Sequence, residues 1–452
     1  MSNEKLVVIG GDAAGMSAAS KVKREKPEME VTVFEKQDYV SFGLCGIPYY
    51  VSEMVDEIDD LIAITPEKFR EKRNIDVKTN HEVVEINSEE NKVIVRDEEE
   101  KKFEKSYDKL LIATGAHARV SKLKNINLDN IFTLHWLDDG KKVKNFIESE
   151  NPEKVVVTAG YIGLEMAEAF KRLGLDVTVV AKHEHFLPKI DSEMVEPLEK
   201  ELGENNVNLR KNSTIVGFEG NEDGEVQKVI FEDGEMETDF VLLSIGVQPT
   251  SRLAEDAGIK TGKSGAIVVD DKMRTNIGNI YAAGDCVETN HLITGEKVYI
   301  PLGDTANRQG RVAGINIAGG DSTFPGVLGT AITKVFDLGV ARTGLSESEA
   351  EEAGYNYITS TIRQNSRAFY YPGGEKIFLK MVVEENSGRV LGAQIAGREG
   401  VSQRIDVLAS LIYNETPIVE IQNLDLAYAP PYSPAWDPIQ TCAKVALSKL
   451  GK

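Results

Sequence analysis

Cysteine, histidine and tryptophan are scarce in this chain of 452 residues, which contains 3, 6 and 2 of them. The cysteines, Cys45, Cys286 and Cys442, are odd in number, far apart and outside any CxxC or Cys/His spacing. This pattern excludes a disulfide scaffold and a zinc-type centre, and free thiols are typical of a reducing compartment. We therefore predict three free thiols, no metal site and a cytoplasmic location.

The chain also lacks long apolar segments and an excess of positive charge. It has no run of about 18 apolar residues, and MSNEKLVVIGG leads directly into a strand-like stretch without the apolar region of a signal peptide. The formal net charge of -21 disfavours nucleic acid as a partner. We expect a soluble protein that binds neither nucleic acid nor a membrane.

What the sequence does contain is one pattern that occurs twice. LVVIGGDAAGMSAASKVKREKPEMEVTVFEK (6–36) and VVVTAGYIGLEMAEAFKRLGLDVTVVAK (155–182) each read as strand, glycine turn, amphipathic helix and strand. This is the βαβ opening of a dinucleotide-binding domain, and two copies in one chain are far more specific than one. The sequence therefore predicts an α/β protein with two Rossmann-like domains.

Beyond residue 325 the pattern changes. Strands such as KIFLKMVVEE and VLGAQIAG precede the helix-like RIDVLASLIYN, and no glycine fingerprint follows, which indicates a third domain of the α+β kind. ATGA (113–116) and NIYAAGDC (279–286) are interpreted as crossings back to the first nucleotide. The predicted limits are 1–115 with 245–325 for the first domain, 150–244 for the second, with 116–149 connecting them, and 326–452 for the third.

The first glycine turn fits a nucleotide with one departure. Gly10 opens the tight turn, Gly15 allows close helix packing, and Glu35 ends the second strand, where its carboxylate can accept hydrogen bonds from ribose hydroxyls. The following helix N-terminus suits a pyrophosphate. Asp12 stands where the fingerprint has its middle glycine, and an acid beside a diphosphate is unfavourable unless it points away.

The second glycine turn departs differently. Thr158 replaces the first glycine, although Gly160 and Gly163 remain. The second copy therefore keeps the turn and the close helix contact while losing one of the three fingerprint glycines.

The end of the second copy bears on cofactor preference. Ala181 and Lys182 occupy the positions of Glu35 and Lys36 in the first copy, so the ribose 2'-hydroxyl loses its acceptor. Lys182, together with His183, could instead meet a 2'-phosphate, which favours NADPH. Glu184 is close enough to replace the missing acid, so NADH stays open.

Six motifs, in this order along essentially the whole chain, carry a family resemblance: GGDAAG, SFGLCGIPYY, ATGA, TAGYIGLEMAE, YAAGDC and AYAPPYSPAWDP. Together they resemble the single-cysteine branch of the flavin-dependent pyridine nucleotide-disulfide oxidoreductases, and most nearly the coenzyme A (CoA) disulfide reductases. The pattern SFxxCxxPY is specific to that branch, which also includes CoA-persulfide reductases and NADH oxidases. Here it is met by Ser41, Phe42, Cys45, Pro48 and Tyr49.

The resemblance implies FAD on the first domain, NAD(P)H on the second and a homodimer formed by the third. The FAD contacts that it implies are Gly10, Ala14, Gly15, Glu35, Lys36, Ser41, Val83, Thr114, Gly115, Asp285 and Ala306. The NAD(P)H contacts that it implies are Gly160, Tyr161, Ile162, Gly163, Lys182 and Gly246.

CoA carries a 3'-phosphate and a diphosphate, so its recognition requires cations. By resemblance, the CoA channel is lined by Ser17, Lys21, Arg24, Ser41, Arg73 and Asn307. The family often has Asn immediately before the cysteine. Leu44 stands there in this chain, which weakens the expectation of tight CoA binding.

The lone cysteine itself points to disulfide exchange. A thiolate is the nucleophile of that reaction, and a single cysteine must form its mixed disulfide with the substrate because it has no partner in the chain. Cys45 would then alternate between the thiolate and Cys45-S-S-CoA, so CoA disulfide is the predicted substrate. Tyr370 and Tyr428 match family tyrosines that reach the active site of the partner subunit, where a phenol can donate a proton.

Three alternatives stay open. An NADH oxidase or peroxidase would cycle Cys45 through a sulfenate, but those relatives usually carry histidine where this chain has Ala13. CoA-persulfide or polysulfide reduction would use the same thiolate, although its best-known members carry a rhodanese domain and this sequence stops at Lys452 without one. A flavin redox sensor would lack a nicotinamide site, and the second βαβ copy argues against it.

Overall fold

A computed structural model describes residues 3–120, 122–187 and 189–451. Up to residue 118 the strands are β1 Lys5–Ile9, β2 Glu30–Phe34, β3 Asp76–Lys78, β4 Glu82–Asn87, β5 Lys92–Arg96, β6 Lys102–Ser106, β7 Lys109–Ile112 and β8 Ala116–Ala118. The helices of this part are α1 Ala13–Glu25, α2 Ile47–Val51 and α3 Pro66–Arg73, with short 3₁₀ helices at Leu44–Gly46 and Ile58–Leu61.

The remaining elements follow in chain order. The next strands are β9 Ile131–Thr133, β10 Lys154–Thr158, β11 Asp176–Val180, β12 Asn208–Arg210, β13 Ile215–Gly220, β14 Val226–Phe231, β15 Gly234–Glu237, β16 Phe240–Leu243, β17 Val247–Pro249, β18 Ile280–Ala282, β19 Thr289–Asn290, β20 Lys297–Val298, β21 Ala331–Val335, β22 Leu338–Gly344, β23 Tyr357–Asn365, β24 Lys376–Glu384 and β25 Val390–Gly397. The helices are α4 Leu137–Glu150, α5 Tyr161–Arg172, α6 Ser192–Glu204, α7 Arg252–Asp256, α8 Gly303–Ile317, α9 Glu347–Glu352, α10 Val401–Tyr413, α11 Ile418–Ile421 and α12 Pro438–Lys449.

The first sheet is parallel, with strand order β18-β7-β1-β2-β3. Its central strands are apolar and almost wholly buried, as parallel strands covered on both faces are. Helices α1 and α8 lie so close together that a Cβ on Gly310 would come within 2.2 Å of the carbonyl oxygen of Ala14. Small residues at this contact therefore bring α8 to the beginning of α1.

The second sheet is also parallel, with strand order β12-β11-β10-β16-β9. It is built on the second glycine turn, between β10 and α5. Strand β9 comes from the stretch 116–149 and completes one edge of the sheet, while β8 and β17 pair as a separate antiparallel ribbon. The two predicted Rossmann-like sheets are thereby confirmed.

The third sheet is antiparallel, with strand order β21-β22-β25-β24-β23, and α10 and α12 pack against it. This confirms the predicted α+β unit. Among the residues that the structure describes, no helix combines the length and apolar character needed to cross a bilayer.

A buried lysine joins the unit built on the second sheet to the unit built on the third sheet, which are called the second and third units below. Lys380, in the middle of β24, is 0% exposed, and its ammonium lies 3.1 Å from Asp191, 2.8 Å from Glu193 and 2.8 Å from Glu347. Asp191 and Glu193 lie at the beginning of α6 in the second unit, whereas Glu347 belongs to α9 in the third. Burial of the ammonium is compensated by carboxylates from both units, so Lys380 fixes one unit against the other.

Candidate active site

The first glycine turn has a conformation that requires glycine. Gly10 has φ +104°, and a Cβ there would lie 2.1 Å from the carbonyl oxygen of Ala113, at the end of the neighbouring strand. Its amide donates to the carbonyl of Phe34, which ends β2. The turn therefore packs directly on two strands and leaves the N-terminus of α1 open to a diphosphate.

Glu35 is held toward this turn by two backbone amides. Its carboxylate accepts hydrogen bonds from Gly11 N at 2.8 Å and Gln37 N at 2.9 Å. Burial raises the pKa of the Glu35 carboxyl, and the two amide bonds oppose that change. The side chain also lines the cavity described below, where it is placed to accept from a ribose hydroxyl.

Asp12, which replaces the middle glycine of the fingerprint, is the N-cap of α1 and lines the cavity described below. Its Oδ1 accepts a hydrogen bond of 3.1 Å from the amide of Phe42. Burial raises the pKa of the Asp12 carboxyl to about 6. The departure from the fingerprint thus ties the glycine turn to the segment that carries Cys45.

A cavity of about 1790 Å³, the central cavity, connects both glycine turns with Cys45. The predicted cofactor contacts that line it are Gly10, Ala14, Glu35, Lys36, Val83, Thr114, Gly115, Gly160, Tyr161, Ile162, Lys182, Gly246, Asp285 and Ala306. Gly15, Ser41 and Gly163 do not line it. A Cβ on Gly15 would come within 2.0 Å of the Gly10 carbonyl oxygen, so this glycine serves the packing of helix on strand.

Cys45 is the accessible thiol of the chain. It lies in the 3₁₀ turn Leu44–Gly46 and is exposed to the central cavity, whereas Cys286 and Cys442 are 0% exposed. Burial raises the pKa of Cys286 to about 11 and that of Cys442 to about 12. Burial and a raised pKa make both thiols unreactive. All three cysteines are free thiols, as predicted.

The protein groups around Cys45 disfavour its thiolate. Partial burial raises the pKa of Cys45, and the carboxylates of Glu165 and Asp285 raise it further. Burial also raises the pKa of Asp285 to about 6. Burial, and after it these two acids, therefore favour the protonated form of the Cys45 thiol.

Glu165 is a site residue that sequence reasoning missed. It lies on α5, lines the central cavity and accepts a 2.8 Å hydrogen bond from the hydroxyl of Thr333 in the third unit. Burial raises the pKa of its carboxyl. The available signal was an acid four residues after Tyr161, on the helix that opens the second nucleotide site.

The second glycine turn compensates for its missing glycine. Gly160 has φ +136°, which retains the turn, and the Thr158 hydroxyl accepts a 2.5 Å hydrogen bond from Ser244 N. Thr158 thus binds the end of β10 to the segment after β16. Lys182 and His183 line the central cavity beside Ala181, as expected for residues at the ribose end of a nucleotide.

The residues predicted to bind CoA gather around α1. Ser17 Oγ donates to Asn307 Oδ1 at 2.6 Å, and Lys21 forms an ion pair with Glu25. Arg73 donates to the hydroxyl of Ser20 at 2.6 Å, which brings its guanidinium to the same helix.

The two other predicted CoA contacts are Arg24, in the last turn of α1, and Ser41, between β2 and the 3₁₀ turn of Cys45. The contact with Lys21 lowers the pKa of the Glu25 carboxyl, and the nearby guanidinium groups of Arg24 and Arg311 lower it further. Ser41 has φ +51°, and its amide donates to the carbonyl of Gly11 at 2.9 Å. Lys21, Arg24 and Arg311 therefore form a basic surface around Glu25, at the C-terminal end of α1.

Tyr370 and Tyr428 meet on the third unit, away from Cys45 of the same chain. Their hydroxyls are 3.5 Å apart, and the residues are 61% and 53% exposed. Neither lines the central cavity. Their hydrogen bond raises the pKa of Tyr370. Other exposed aromatic residues lie in the same two segments, namely Phe369, Tyr371, Tyr432 and Trp436.

Comparison with known families gives two matches. The model "Pyridine nucleotide-disulphide oxidoreductase" matches residues 4–310, and the dimerisation domain of the same family matches residues 330–438. A solved structure, an NAD-dependent persulfide reductase from A. fulgidus, is similar over 98% of this chain and 83% of that one, with 43% identity and a TM-score of 0.96.

Three curated relatives are similar over nearly the whole chain. An NAD(P)H coenzyme A polysulfide/persulfide reductase from Pyrococcus horikoshii is 43% identical over 98% of both chains. An NADH oxidase from Methanocaldococcus jannaschii is 38% identical over 99% of both, and a coenzyme A disulfide reductase from Staphylococcus aureus is 35% identical over 95% of this chain and 96% of that one. This chain therefore belongs to the pyridine nucleotide-disulphide oxidoreductase family.

Proposed function

We propose that the chain is an FAD-dependent NAD(P)H:disulfide oxidoreductase that reduces CoA disulfide to CoA through Cys45. One observation carries the proposal: a single accessible thiol faces the cavity that both nucleotide turns share, and the other two thiols are buried. No second sulfur of the chain is available to Cys45. The second sulfur must therefore arrive with the substrate.

The first glycine turn fits FAD. The tight turn at Gly10 leaves the N-terminus of α1 open to a diphosphate, and Glu35 and Asp285 line the same cavity as acceptors for hydroxyls. When bound, FAD supplies two-electron transfer from NAD(P)H to sulfur, which returns the Cys45–CoA disulfide to two thiols.

Cys45 performs the exchange. Its thiolate attacks one sulfur of CoA disulfide, the bond between the two CoA sulfurs breaks, and a bond from Cys45 to one CoA forms. The other CoA leaves as a thiolate and requires a proton. Tyr370, hydrogen-bonded to Tyr428, is the proposed donor, acting from the third unit of a second copy of the chain.

The basic surface on α1 is the proposed CoA channel. Lys21, Arg24 and Arg73 would meet the phosphates of CoA, while the Ser17–Asn307 hydrogen bond and Ser41 border the path to Cys45. Lys21 would exchange its ion pair with Glu25 for a phosphate. The exposed aromatic residues around Tyr370 support a homodimer with shared sites.

Reduction of CoA persulfide or polysulfide is the second candidate. The relative named for that substrate is 43% identical, against 35% for the CoA disulfide reductase, and it is matched over 98% of its own length. The same thiolate, phosphate contacts and phenols would serve. An oxidase is disfavoured by Ala13 in place of a histidine, and a redox sensor by the intact turn at Gly160.

The domain limits and location belong to the same proposal. FAD would bind to 1–115 and 245–325, NAD(P)H to 150–244, and the second copy to 326–452. Three free thiols support a reducing compartment such as the cytoplasm.

The proposal is tested by steady-state assays of the purified protein with NADPH and NADH. CoA disulfide, CoA persulfide and oxygen are offered in turn. We expect kcat/KM to be highest for one of the two CoA substrates, and oxygen uptake to be slow. Consumption of NAD(P)H with oxygen alone, and with neither CoA substrate, would replace the reductase with an oxidase.

A further inference from the structure

The two segments that carry Tyr370 and Tyr428 are joined from beneath by a buried ion pair. Arg404 on α10 and Asp437, the N-cap of α12, are 6% and 8% exposed, and Arg404 Nη2 lies 2.9 Å from Asp437 Oδ2. Removal of one partner from a buried ion pair is strongly unfavourable, because the other charge is then left buried and unpaired.

Each partner of the pair holds one tyrosine segment. Arg404 Nη2 donates to the carbonyl of Ser366 at 3.2 Å, at the beginning of the segment that contains Tyr370. Asp437 accepts a 3.0 Å hydrogen bond from the hydroxyl of Ser433, in the segment that contains Tyr428. The ion pair is therefore a buried link between the two segments.

A second set of contacts lies nearer the surface. Ala368 N donates to the carbonyl of Pro430 at 3.2 Å, which joins the two segments directly. Arg367 forms an ion pair with Glu399, which also accepts from the hydroxyl of Ser366. The backbone on both sides of Tyr370 is thus fixed, although its ring is exposed.

We propose that Arg404 and Asp437 are positioning residues, which set the Tyr370–Tyr428 pair in place for Cys45 of a second copy of the chain. This inference rests on the proposed function. Both rings are exposed, and apart from their mutual hydrogen bond and the contact of Tyr370 with Phe369, their place depends on the backbone beneath. A phenol fixed before substrate arrives spares the ordering of two loops in every turnover.

The first test is the double variant Arg404→Met/Asp437→Asn. It removes both charges, so neither is left buried and unpaired, and Asn at the N-cap keeps an acceptor for Ile439 N. We expect the dimer, bound FAD and the rate of flavin reduction by NADPH to stay at parent level. The kcat for the CoA substrate should fall by about 10- to 100-fold, since misplaced groups cost that much.

Two further variants separate position from stability. Arg404→Lys keeps the charge and should retain part of the kcat. Arg389→Gln removes the 2.9 Å ion pair with Glu415 elsewhere in the same unit and should leave kcat unchanged. In the double variant, hydrogen exchange should accelerate in 366–375 and 427–437 and not in 1–120. Parent-like exchange there would overturn the inference without reference to activity.

The decisive measurement uses mixed dimers of the double variant and Cys45→Ser. One of the two sites in the mixed dimer has the parent Cys45 together with the parent Arg404, Asp437 and tyrosines. Activity should therefore return to that of one site per dimer. Mixed dimers no more active than the double variant would overturn the inference, as would a parent-like kcat in the double variant. A parent protein inactive with both CoA substrates would overturn the proposed function and the inference together.

Discussion

The carboxylate of Glu184 lies 2.6 Å from the ammonium of Lys211 and accepts a 2.7 Å hydrogen bond from the amide of Asn212. These contacts lower the pKa of the Glu184 carboxyl. Glu184 is thereby bound at the outer edge of the second sheet, whereas Lys182 and His183 line the central cavity. Glu184, the acid that could have replaced the one missing at Ala181, is therefore bound to Lys211 and Asn212 instead.

This arrangement predicts a higher kcat/KM with NADPH than with NADH. Lys182→Glu should narrow or reverse the ratio by about tenfold, the equivalent of ~1.4 kcal/mol, because it removes the cation for a 2'-phosphate and supplies an acceptor for a 2'-hydroxyl. Both constants are measured at one concentration of CoA substrate. Lys200→Glu, at an exposed position of α6, is the control and should keep the ratio. A parent enzyme that prefers NADH would contradict this prediction.

Substitution of Cys45 should divide the reaction into its halves. The Cys45→Ser variant is expected to retain bound FAD, and NADPH should still reduce that flavin. Its rate of CoA disulfide reduction should fall by at least ~10³-fold, because a covalent nucleophile is removed. Cys286→Ser and Cys442→Ser are the matched controls and should change little, since both thiols are buried. The parent enzyme, denatured without reductant, should release CoA or show added mass on the Cys45 peptide. Near-parent turnover by Cys45→Ser would exclude a covalent role.

The charge of Glu165 should govern the reactivity of Cys45. Burial, Glu165 and Asp285 all raise the pKa of Cys45, so Glu165→Gln removes one negative charge and lowers it. The rate of alkylation of Cys45 by iodoacetamide, followed against pH, should rise at lower pH in this variant than in the parent. Glu168→Gln, one turn further along α5, should leave the profile in place. An unshifted profile in Glu165→Gln would show that its carboxylate has no influence on the thiol.

The glycine turn after β1 should decide whether flavin is retained. We expect the protein to purify yellow, with absorbance near 450 nm that is general to flavins. Gly10→Ala places a Cβ 2.1 Å from the Ala113 carbonyl at a positive φ, so its FAD content should fall sharply. Gly203→Ala on α6, where a Cβ meets open space, is the control. A colourless, folded parent protein would contradict the assignment of FAD.

Tyr428 should influence the reaction through its hydrogen bond to Tyr370. The hydrogen bond with Tyr428 raises the pKa of Tyr370, so Tyr428→Phe should move the alkaline limit of kcat to lower pH. Tyr370→Phe should lower kcat by about 10²-fold, because general-acid catalysis typically contributes that much. Tyr432→Phe, in the same segment, is the control. Mixed dimers of Cys45→Ser with Tyr370→Phe should recover the activity that each variant loses alone, and their failure would place the tyrosines in cis or outside the reaction.

Local requirements explain what could be predicted from sequence. The turns at Gly10 and Gly160 require backbone angles that few other residues adopt, so their positions mark the βαβ units, and both parallel sheets followed. The motif SFxxCxxPY identified Cys45 through the family resemblance, because its residues are contiguous in the sequence. The individual contacts assigned to FAD, NAD(P)H and CoA stay predictions, as do the limits of the domains.

What sequence could not provide depends on packing between distant segments. In the sequence, Glu165 is one of several acids on a helix, and only the packing of α5 against α2 and β21 shows that it belongs to the site. Lys380 lies in the apolar stretch KIFLKMVVEE, where alternation indicates a solvent-facing residue, yet it is wholly buried because three carboxylates from other elements reach it. Arg404 and Asp437 are 33 residues apart, and no local pattern joins them.

The three carboxylates around Lys380 also determine whether the second and third units unfold separately or together. Release of the second unit alone would withdraw Asp191 and Glu193 and leave the ammonium in the middle of a sheet with only Glu347. Removing partners from a buried charge costs about 3 to 5 kcal/mol, a large fraction of the free energy that holds a domain folded. The second and third units therefore share one cooperative transition, and the limit between them in sequence is not a limit of stability.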